Sequence, residues 1–451
     1  MAPTAVERLA LMPGMQRLPR QLRDPFVLNN LVYFAGNFFA GLAGYAFQAL
    51  LARAVGKDRY AEVASLIAIF YIVQILHFVA MAVAARITAP LAAEGRQTEV
   101  QRAYRDMTLY ATLVGGAGML LFLLIAPTLH TRLGIGLGPL IILSGTVPLS
   151  LLVGLSRGVL QGEQRFLPLS LNFVTYGTTT LLFLPILLHY HLRAVGATLA
   201  IVLALTLCNL FAAAVLRNLP HGGHHERLPL VSVVRSSLAA AAGLTVITIF
   251  FNMDVILAKY FLPNSDAGLY SAMSLLGKIL YFGTISVSAV MFPRVAALHA
   301  QGKNPHSVVN LSLGAVTAAG SIVVGAYFLF PNAIVHLMLG GQYTSIGRNL
   351  GIYAMAMLGL AIANVLVYYF VAVHRRRYML VMALGAIVFF GGIARFHADF
   401  AQFTLAVTVA IDSMALGLLG MYLLERPGRR PDEPVELPLV AIATRSPGAG
   451  A

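Results

Sequence analysis

The chain has 451 residues, of which 59% are hydrophobic and only 11% are charged. Its mean hydropathy of +0.80 is that of a polytopic membrane protein and excludes an ordinary soluble domain. Its one cysteine, Cys208, excludes a disulfide framework and a cysteine-ligated metal site, and we expect no cofactor. The formal net charge of +14 would by itself suggest a nucleic-acid partner, but the positions of the basic residues argue against one.

Residues 1–27 contain arginines but neither the apolar core nor the small-residue cleavage site of a secretory signal peptide. We therefore expect a cytoplasmic N-terminal tail. Insertion into the membrane would then be directed by the first spanning helix.

Twelve continuous apolar segments follow, each long enough to cross a bilayer as a helix. Continuous apolar runs favour helices over the strands of a membrane barrel, in which apolar and polar residues alternate. The predicted spans are 28–52, 61–88, 107–128, 138–160, 168–190, 194–216, 235–261, 267–292, 307–330, 347–373, 379–396 and 399–424.

These spans predict an all-α fold with two six-helix lobes, over residues 28–216 and 235–424. The linker between them, 217–234, is expected to be cytoplasmic. Its histidines at positions 221, 224 and 225 have only Glu226 beside them, which favours a solvated linker over a metal site. Five prolines after residue 424 predict a disordered cytoplasmic tail over 425–451.

The two predicted lobes share an internal repeat, because markers of the first half recur in the second in the same order and at nearly constant spacing. The matched pairs are residues 50–53 with 256–259, Tyr60 with Tyr270, 94–96 with 301–303, and 127–136 with 331–340. Many membrane transporters are built from such repeats, so the pattern favours a transport function.

The basic residues indicate the orientation of the chain. With both termini in the cytoplasm, 22 of the 31 lysines and arginines lie inside and 8 outside, while Lys278 lies within the membrane. The positive-inside rule predicts this orientation. Most basic residues would then face anionic lipid, which argues against a nucleic-acid partner.

Three polar residues lie deep within apolar segments of the second half. Lys278 is near the middle of segment eight, Asp412 is at the centre of segment twelve, and Asp254 is about a third of the way into segment seven. Charged residues at this depth usually face the interior and pair with one another. We expect Lys278 to pair with Asp254 or with Asp412.

Several short patches, taken in order along residues 28–424, carry a family resemblance. They are residues 53–56 with Tyr60, 157–162 with Arg165 and Phe166, 254–257 leading to 268–271, 292–294, and 331–340 with Tyr343. The chain resembles the bacterial polysaccharide, or lipid-linked oligosaccharide, flippase family, whose superfamily also contains the multidrug and toxin extruders. It departs from the family pattern at Ala61, where glycine is usual.

The resemblance implies two six-helix lobes around a central cavity that opens alternately to the two sides of the bacterial inner membrane. It implies a polyprenyl-diphosphate-linked glycan as substrate, moved from the cytoplasmic to the periplasmic leaflet without an enzymatic reaction. The resemblance further implies membrane lipids as direct partners, with a polysaccharide polymerase and glycosyltransferases as additional partners.

A diphosphate in a low-dielectric layer needs cationic side chains in place of its water. Lys278 is the first candidate, followed by Arg157 at the cytoplasmic end of segment four and Arg53 at the end of segment one. Asp254 or Asp412 would couple transport to a cation gradient. Four asparagines are candidates for sugar contacts or for hydrogen bonds between helices, namely Asn37, Asn172, Asn252 and Asn364.

Other functions are less well supported by the sequence. Gly277 and Lys278 lack the flanking residues of a phosphate-binding loop, so ATP hydrolysis by that route is not expected. No loop is long enough to hold the catalytic residues of a transferase. A cation-coupled drug antiporter of the same fold and a non-transporting scaffold of an envelope-synthesis complex remain as alternatives.

Overall fold

The computed structural model describes residues 25–217, residue 220 and residues 230–424. These residues form helices and turns, and no strand occurs among them. The predicted N-terminal tail, nearly all of the linker with its histidines, and the C-terminal tail lie outside the described residues.

The described residues form fourteen α-helices, seven in each half. In the first half they are α1 (Pro25–Val55), α2 (Lys57–Ala93), α3 (Gln97–Leu133), α4 (Leu137–Ser144), α5 (Thr146–Gly162), α6 (Phe166–His189) and α7 (Arg193–Leu216). In the second they are α8 (Leu230–Phe261), α9 (Asn264–Ala300), α10 (His306–Leu329), α11 (Pro331–Leu339), α12 (Gly347–Ala372), α13 (Tyr378–Arg395) and α14 (Phe400–Leu424). A short 3₁₀ segment, Gly341–Ile346, joins α11 to α12.

The described residues contain eleven segments long and apolar enough to cross a membrane, with α4 and α5 counted as one. They correspond to eleven of the twelve predicted spans. The remaining prediction, 235–261, falls on α8, a helix of 32 residues whose side chains are described from residue 245 onward. The prediction of a polytopic all-α membrane fold is confirmed.

The repeat is visible in helix lengths and in turn geometry. Helices α2 and α9 each contain 37 residues, and each ends at a glycine of positive φ, 73° at Gly95 and 67° at Gly302. After each glycine the next residue donates its backbone N–H to a carbonyl five residues back, from Arg96 to Leu91 and from Lys303 to Leu298, both at 2.9 Å. This left-handed helix ending explains why residues 94–96 match residues 301–303.

The structure corrects two local predictions. Residues 264–266, which lie between the predicted spans 235–261 and 267–292, form the first turn of α9, because Pro263 precedes the helix and Asp266 suits its positive end. The span predicted over 138–160 is broken at Gly145, since Pro148 has no N–H to donate to the carbonyl of Ser144.

The larger hydrophobic core contains residues of both halves, and a second core lies within the first half. Helix α2 packs against α5 in its own half and against both α8 and α9 in the other half, while α9 packs against α12. Within the first half, α1 approaches α6 so closely that a Cβ atom at Gly36 would lie 2.1 Å from the Ser170 hydroxyl. The small residue at this position allows the two helices to pack closely.

Candidate functional site

The first candidate site is a buried polar cluster between α8, α9 and α12. Asp254 of α8 is completely buried, and its Oδ1 lies 3.5 Å from the Nζ atom of Lys278 on α9. Of the two partners predicted for Lys278, the structure selects Asp254. The pairing reduces the cost of holding two charges away from water.

Hydroxyl groups occupy the other oxygen of the Asp254 carboxylate. Oδ2 accepts hydrogen bonds from Tyr353 at 2.6 Å, from Tyr270 at 3.1 Å and from Ser274 at 3.3 Å. The Ser274 and Tyr353 hydroxyls are also 2.9 Å apart. Because a carboxylate accepts about four hydrogen bonds, Asp254 is close to saturated by the protein itself.

The positions of these groups follow from helix geometry. Tyr270, Ser274 and Lys278 recur every four residues, which places them on one face of α9 opposite Asp254. The ammonium group of Lys278 also lies 4.7 Å from the centre of the Phe251 ring, where the ring's negative face attracts it. Lys278 is 9% exposed, so the charge stays inside the protein.

The first half has a neutral counterpart at the matching positions. Gln48 of α1 donates its amide N–H to the Tyr71 hydroxyl of α2 at 3.3 Å, as Lys278 of α9 donates to Asp254 of α8. The repeat thus keeps a polar link between the first two helices of each half. Only the second half uses charged residues for it.

The second candidate site surrounds Arg157, which is 6% exposed within the first half. Its Nε donates to Asn172 Oδ1 at 2.7 Å, and its Nη2 lies 4.0 Å from the Cys208 sulfur. The guanidinium carbon sits 3.9 Å above the centre of the Phe173 ring. No carboxylate among the described residues pairs with Arg157, so these residues do not neutralise its positive charge.

Asp412 differs from Asp254 in its surroundings. It is half-buried on α14 and packs over Gly359 of α12, where a Cβ atom would lie 2.1 Å from Oδ1. In the part of the chain that the structure describes, no basic residue pairs with it. Asp412 therefore differs from Asp254, which is paired with Lys278.

The remaining predicted residues lie elsewhere. Arg53 at the end of α1 donates to the main-chain carbonyls of Leu337 and Met338. Asn37 is exposed on α1, and Asn252 is buried with its amide donating to the Thr248 carbonyl of its own helix at 2.9 Å.

Two asparagines form the interhelical hydrogen bonds that were the alternative to sugar contacts. Asn364 of α12 accepts from Tyr281 at 3.2 Å and donates to Ser288 at 3.1 Å, both on α9. Asn172 of α6 donates to the Cys208 carbonyl of α7 at 2.8 Å.

The sequence analysis did not identify Tyr270, Ser274 and Tyr353 as site residues. The four-residue spacing on α9 could have indicated Tyr270 and Ser274. Tyr353 lies 99 residues from Asp254 in sequence and in an apolar segment, so no local pattern marks it.

Comparisons with known proteins agree with this architecture. A family model described as "Polysaccharide biosynthesis protein" matches residues 26–299, which is more than half of the chain. No curated protein matches the chain.

Solved structures of MATE transporters share the fold. An inward-facing multidrug resistance MATE family transporter of the MOP superfamily is 13% identical, with a TM-score of 0.72 over 87% of this chain and 97% of its own. The eukaryotic MATE transporter AtDTX14 is 16% identical, with a TM-score of 0.61 over 88% and 94%. An outward-facing MATE family transporter is 13% identical, with a TM-score of 0.59 over 88% and 95%.

At these identities the solved structures establish the fold alone, whereas the family model covers most of the first half and the start of the second. The internal repeat and the buried cationic residues are consistent with both. The chain belongs to the polysaccharide biosynthesis protein family.

Proposed function

We propose that this protein is a flippase that moves a polyprenyl-diphosphate-linked glycan from the cytoplasmic to the periplasmic leaflet of a bacterial inner membrane. In this proposal both termini are cytoplasmic and the two halves rock about a shared central cavity. The lipid tail stays in the bilayer while the diphosphate and the sugars cross inside the protein. A polysaccharide polymerase and glycosyltransferases are the partners that would use and supply such a substrate.

The observation that carries the proposal is the buried, unneutralised guanidinium of Arg157. A cation buried away from water is costly unless something offsets its charge. Its partners Asn172, Cys208 and Phe173 are neutral. A diphosphate would supply the missing negative charge, and a guanidinium binds phosphate oxygens through paired N–H groups.

Lys278 is the second cationic residue in the proposal. It is held by Asp254 at 3.5 Å, a long contact for a charge-assisted hydrogen bond. A diphosphate oxygen could compete with this contact, since Asp254 keeps three hydroxyl donors when Lys278 turns away. Arg157 would therefore bind the resting substrate and Lys278 would bind it during passage.

Asp412 is the carboxylate we propose for ion coupling. Asp254 is occupied by four donors, whereas Asp412 has no basic partner among the described residues. A half-buried carboxylate of this kind exchanges a proton or a monovalent cation as the halves rearrange.

The test is transport by the purified protein in proteoliposomes. The substrate is a polyprenyl-diphosphate oligosaccharide with a fluorescent sugar, and an external quencher reports the leaflet that it occupies. We expect the wild type to equilibrate the lipid, Arg157→Gln to lose at least about tenfold in rate, and Arg157→Lys to keep part of it. Arg132→Gln, which changes an exposed arginine at the end of α3, is the matched control.

The same vesicles separate the alternatives. A wild-type protein that leaves the lipid in place but accumulates an organic cation against a proton or sodium gradient would be an antiporter. A protein that moves neither would be a scaffold. Either result would overturn the proposed function.

A further inference from the structure

Five hydrogen bonds join the described parts of the two halves at one end of the helix bundle. This end holds the turn between α1 and α2, the turn between α8 and α9, and the 3₁₀ segment after α11. The bonds connect the last turn of α1 with α11 and with the 3₁₀ segment that follows it. We call them the end clasp.

The end clasp satisfies helix carbonyls reciprocally. The last four carbonyls of a helix have no partner within it. Arg53 of the first half donates to two such carbonyls of α11, at Leu337 and, at 3.1 Å, at Met338. A cation is also favoured there by the negative end of the α11 dipole.

Side chains of the second half donate in turn to the helix-end carbonyls of α1. The Tyr343 hydroxyl donates to the Ala52 carbonyl in the last turn of α1 at 2.8 Å. The Gln342 amide donates to the carbonyls of Ala52 and Arg53 at 3.4 and 3.3 Å. Burial, and to a smaller extent the charge of Asp58, raises the pKa of Tyr343, so its hydroxyl keeps the proton that it donates.

The backbones of the halves also touch beside the end clasp. A Cβ atom at Gly268, in the first turns of α9, would lie 1.8 Å from the carbonyl oxygen of Lys57 at the start of α2. The rings of Tyr60 and Tyr343 meet edge to face with their centres 6.4 Å apart. At this end the two halves are therefore in contact through their main chains as well as through their side chains.

We propose that Arg53, Gln342 and Tyr343 form the gate that holds this end of the transporter closed. The positive-inside orientation makes this the periplasmic end, so the gate opens when the substrate is released to the outer leaflet. Arg53 then acts on the conformational equilibrium and is not one of the cations that bind the diphosphate. The inference rests on the proposed transport function, but its test needs no substrate.

The test measures the distance across the end clasp in the full-length protein in lipid nanodiscs. Spin labels are attached to cysteines placed at Ala54 and Ser345, both exposed residues on opposite sides of the gate, in a Cys208→Ala background. We expect the parent protein to show one short distance. Arg53→Gln and Tyr343→Phe should each increase a longer-distance population at least about threefold, and the double variant should increase it further.

Two matched controls change the same residue types outside the end clasp. Arg132→Gln removes an exposed arginine, and Tyr327→Phe removes a hydroxyl that donates to the Leu276 carbonyl within the second half. Both should leave the distance distribution unchanged. An unchanged distribution in the Arg53→Gln, Tyr343→Phe double variant would overturn the gate.

A cross-linking experiment tests the gate independently of the Arg53→Gln and Tyr343→Phe variants, in case these do not fold. Cysteines at positions 53 and 337, joined by a short bifunctional thiol reagent, should hold the gate shut. Lipid transport in proteoliposomes should then be lost and should return when the reagent is removed by reduction. Undiminished transport with the link in place would overturn the gate, whereas distance changes without any transport would overturn only the flippase function.

Discussion

The hydroxyl of Tyr353 donates to the carboxylate of Asp254 at 2.6 Å, across 99 residues of sequence and between two helices of the second half. The same carboxylate faces Lys278 at 3.5 Å. The shorter contact is the neutral donor, so the hydroxyl groups, as much as the lysine, stabilise the buried negative charge. Lys278 can therefore leave Asp254 without exposing it.

The first prediction concerns the stability of the Asp254–Lys278 pair. Lys278→Ala should lower the free energy of unfolding by about 3–5 kcal/mol, because it leaves a buried carboxylate without its cation. Lys278→Ala combined with Asp254→Ala should lose much less. Thermal unfolding in detergent measures both, and losses that simply add would contradict a coupled pair.

Export by these variants separates a structural lysine from one that binds substrate. If Lys278 contacts the diphosphate, the double variant should reach the membrane in normal amounts and remain inactive, while Lys278→Arg should keep partial activity. Recovery of transport in the double variant would show that the lysine is needed only for folding.

The second prediction concerns the hydroxyl of Tyr353. Tyr353→Phe should destabilise the protein by about 1.5–3 kcal/mol, the usual range for a hydrogen bond to a charged group. Tyr327→Phe is the control, because its hydroxyl donates to a neutral carbonyl at 2.8 Å and should cost about 0.5–1.5 kcal/mol. Equal losses, measured by thermal unfolding, would mean that Asp254 is not charged in the folded protein.

The third prediction compares two glycines of α9. Gly268→Ala should be strongly destabilising, since the new Cβ atom would overlap the Lys57 carbonyl oxygen and push the halves apart. Gly283→Ala has open space around it and should stabilise the helix by about 0.5–1 kcal/mol. Yield and unfolding temperature of the two variants measure the difference, and a harmless Gly268→Ala would contradict the close approach.

The fourth prediction concerns Asp412. Asp412→Asn should abolish the dependence of transport on a proton or sodium gradient while leaving the folded protein intact, because no basic partner is left unpaired among the described residues. Asp254→Asn should instead reduce folded yield. Transport assayed with and without each gradient distinguishes them, and an unchanged gradient dependence in both variants would exclude carboxylate coupling.

The fifth prediction concerns orientation. In a Cys208→Ala background, cysteines at Asn264 and at Thr344 should react with an impermeant reagent added to intact cells, because the positive-inside rule places both outside. Both residues are exposed at the end that holds the end clasp. Protection of both positions would reverse the predicted topology, and the gate would then close the cytoplasmic end.

The sequence predicted the helices well because continuous apolar runs and turn residues are local signals. It also limited Lys278 to two acidic partners, since few charges lie at that depth. It could not choose between Asp254 and Asp412, because both are intramembrane and only packing shows that α8, not α14, faces Lys278.

The role of Arg53 was less predictable. At the end of a spanning helix a basic residue is expected for topology alone, and its actual acceptors are main-chain carbonyls nearly 300 residues away. Every residue has a main-chain carbonyl, so the sequence does not indicate which of them accepts a hydrogen bond. The short helix α11 exposes these carbonyls because Gly340 adopts a φ of 91° and ends the helix there.

The end clasp also constrains how the chain matures during translation. The Ala52 carbonyl lies in α1, yet its donor Tyr343 follows 291 residues later. The first half is therefore synthesised before the residues that donate to these carbonyls in the folded protein. Separately expressed halves should each be substrates for membrane proteases, and co-expression should protect both.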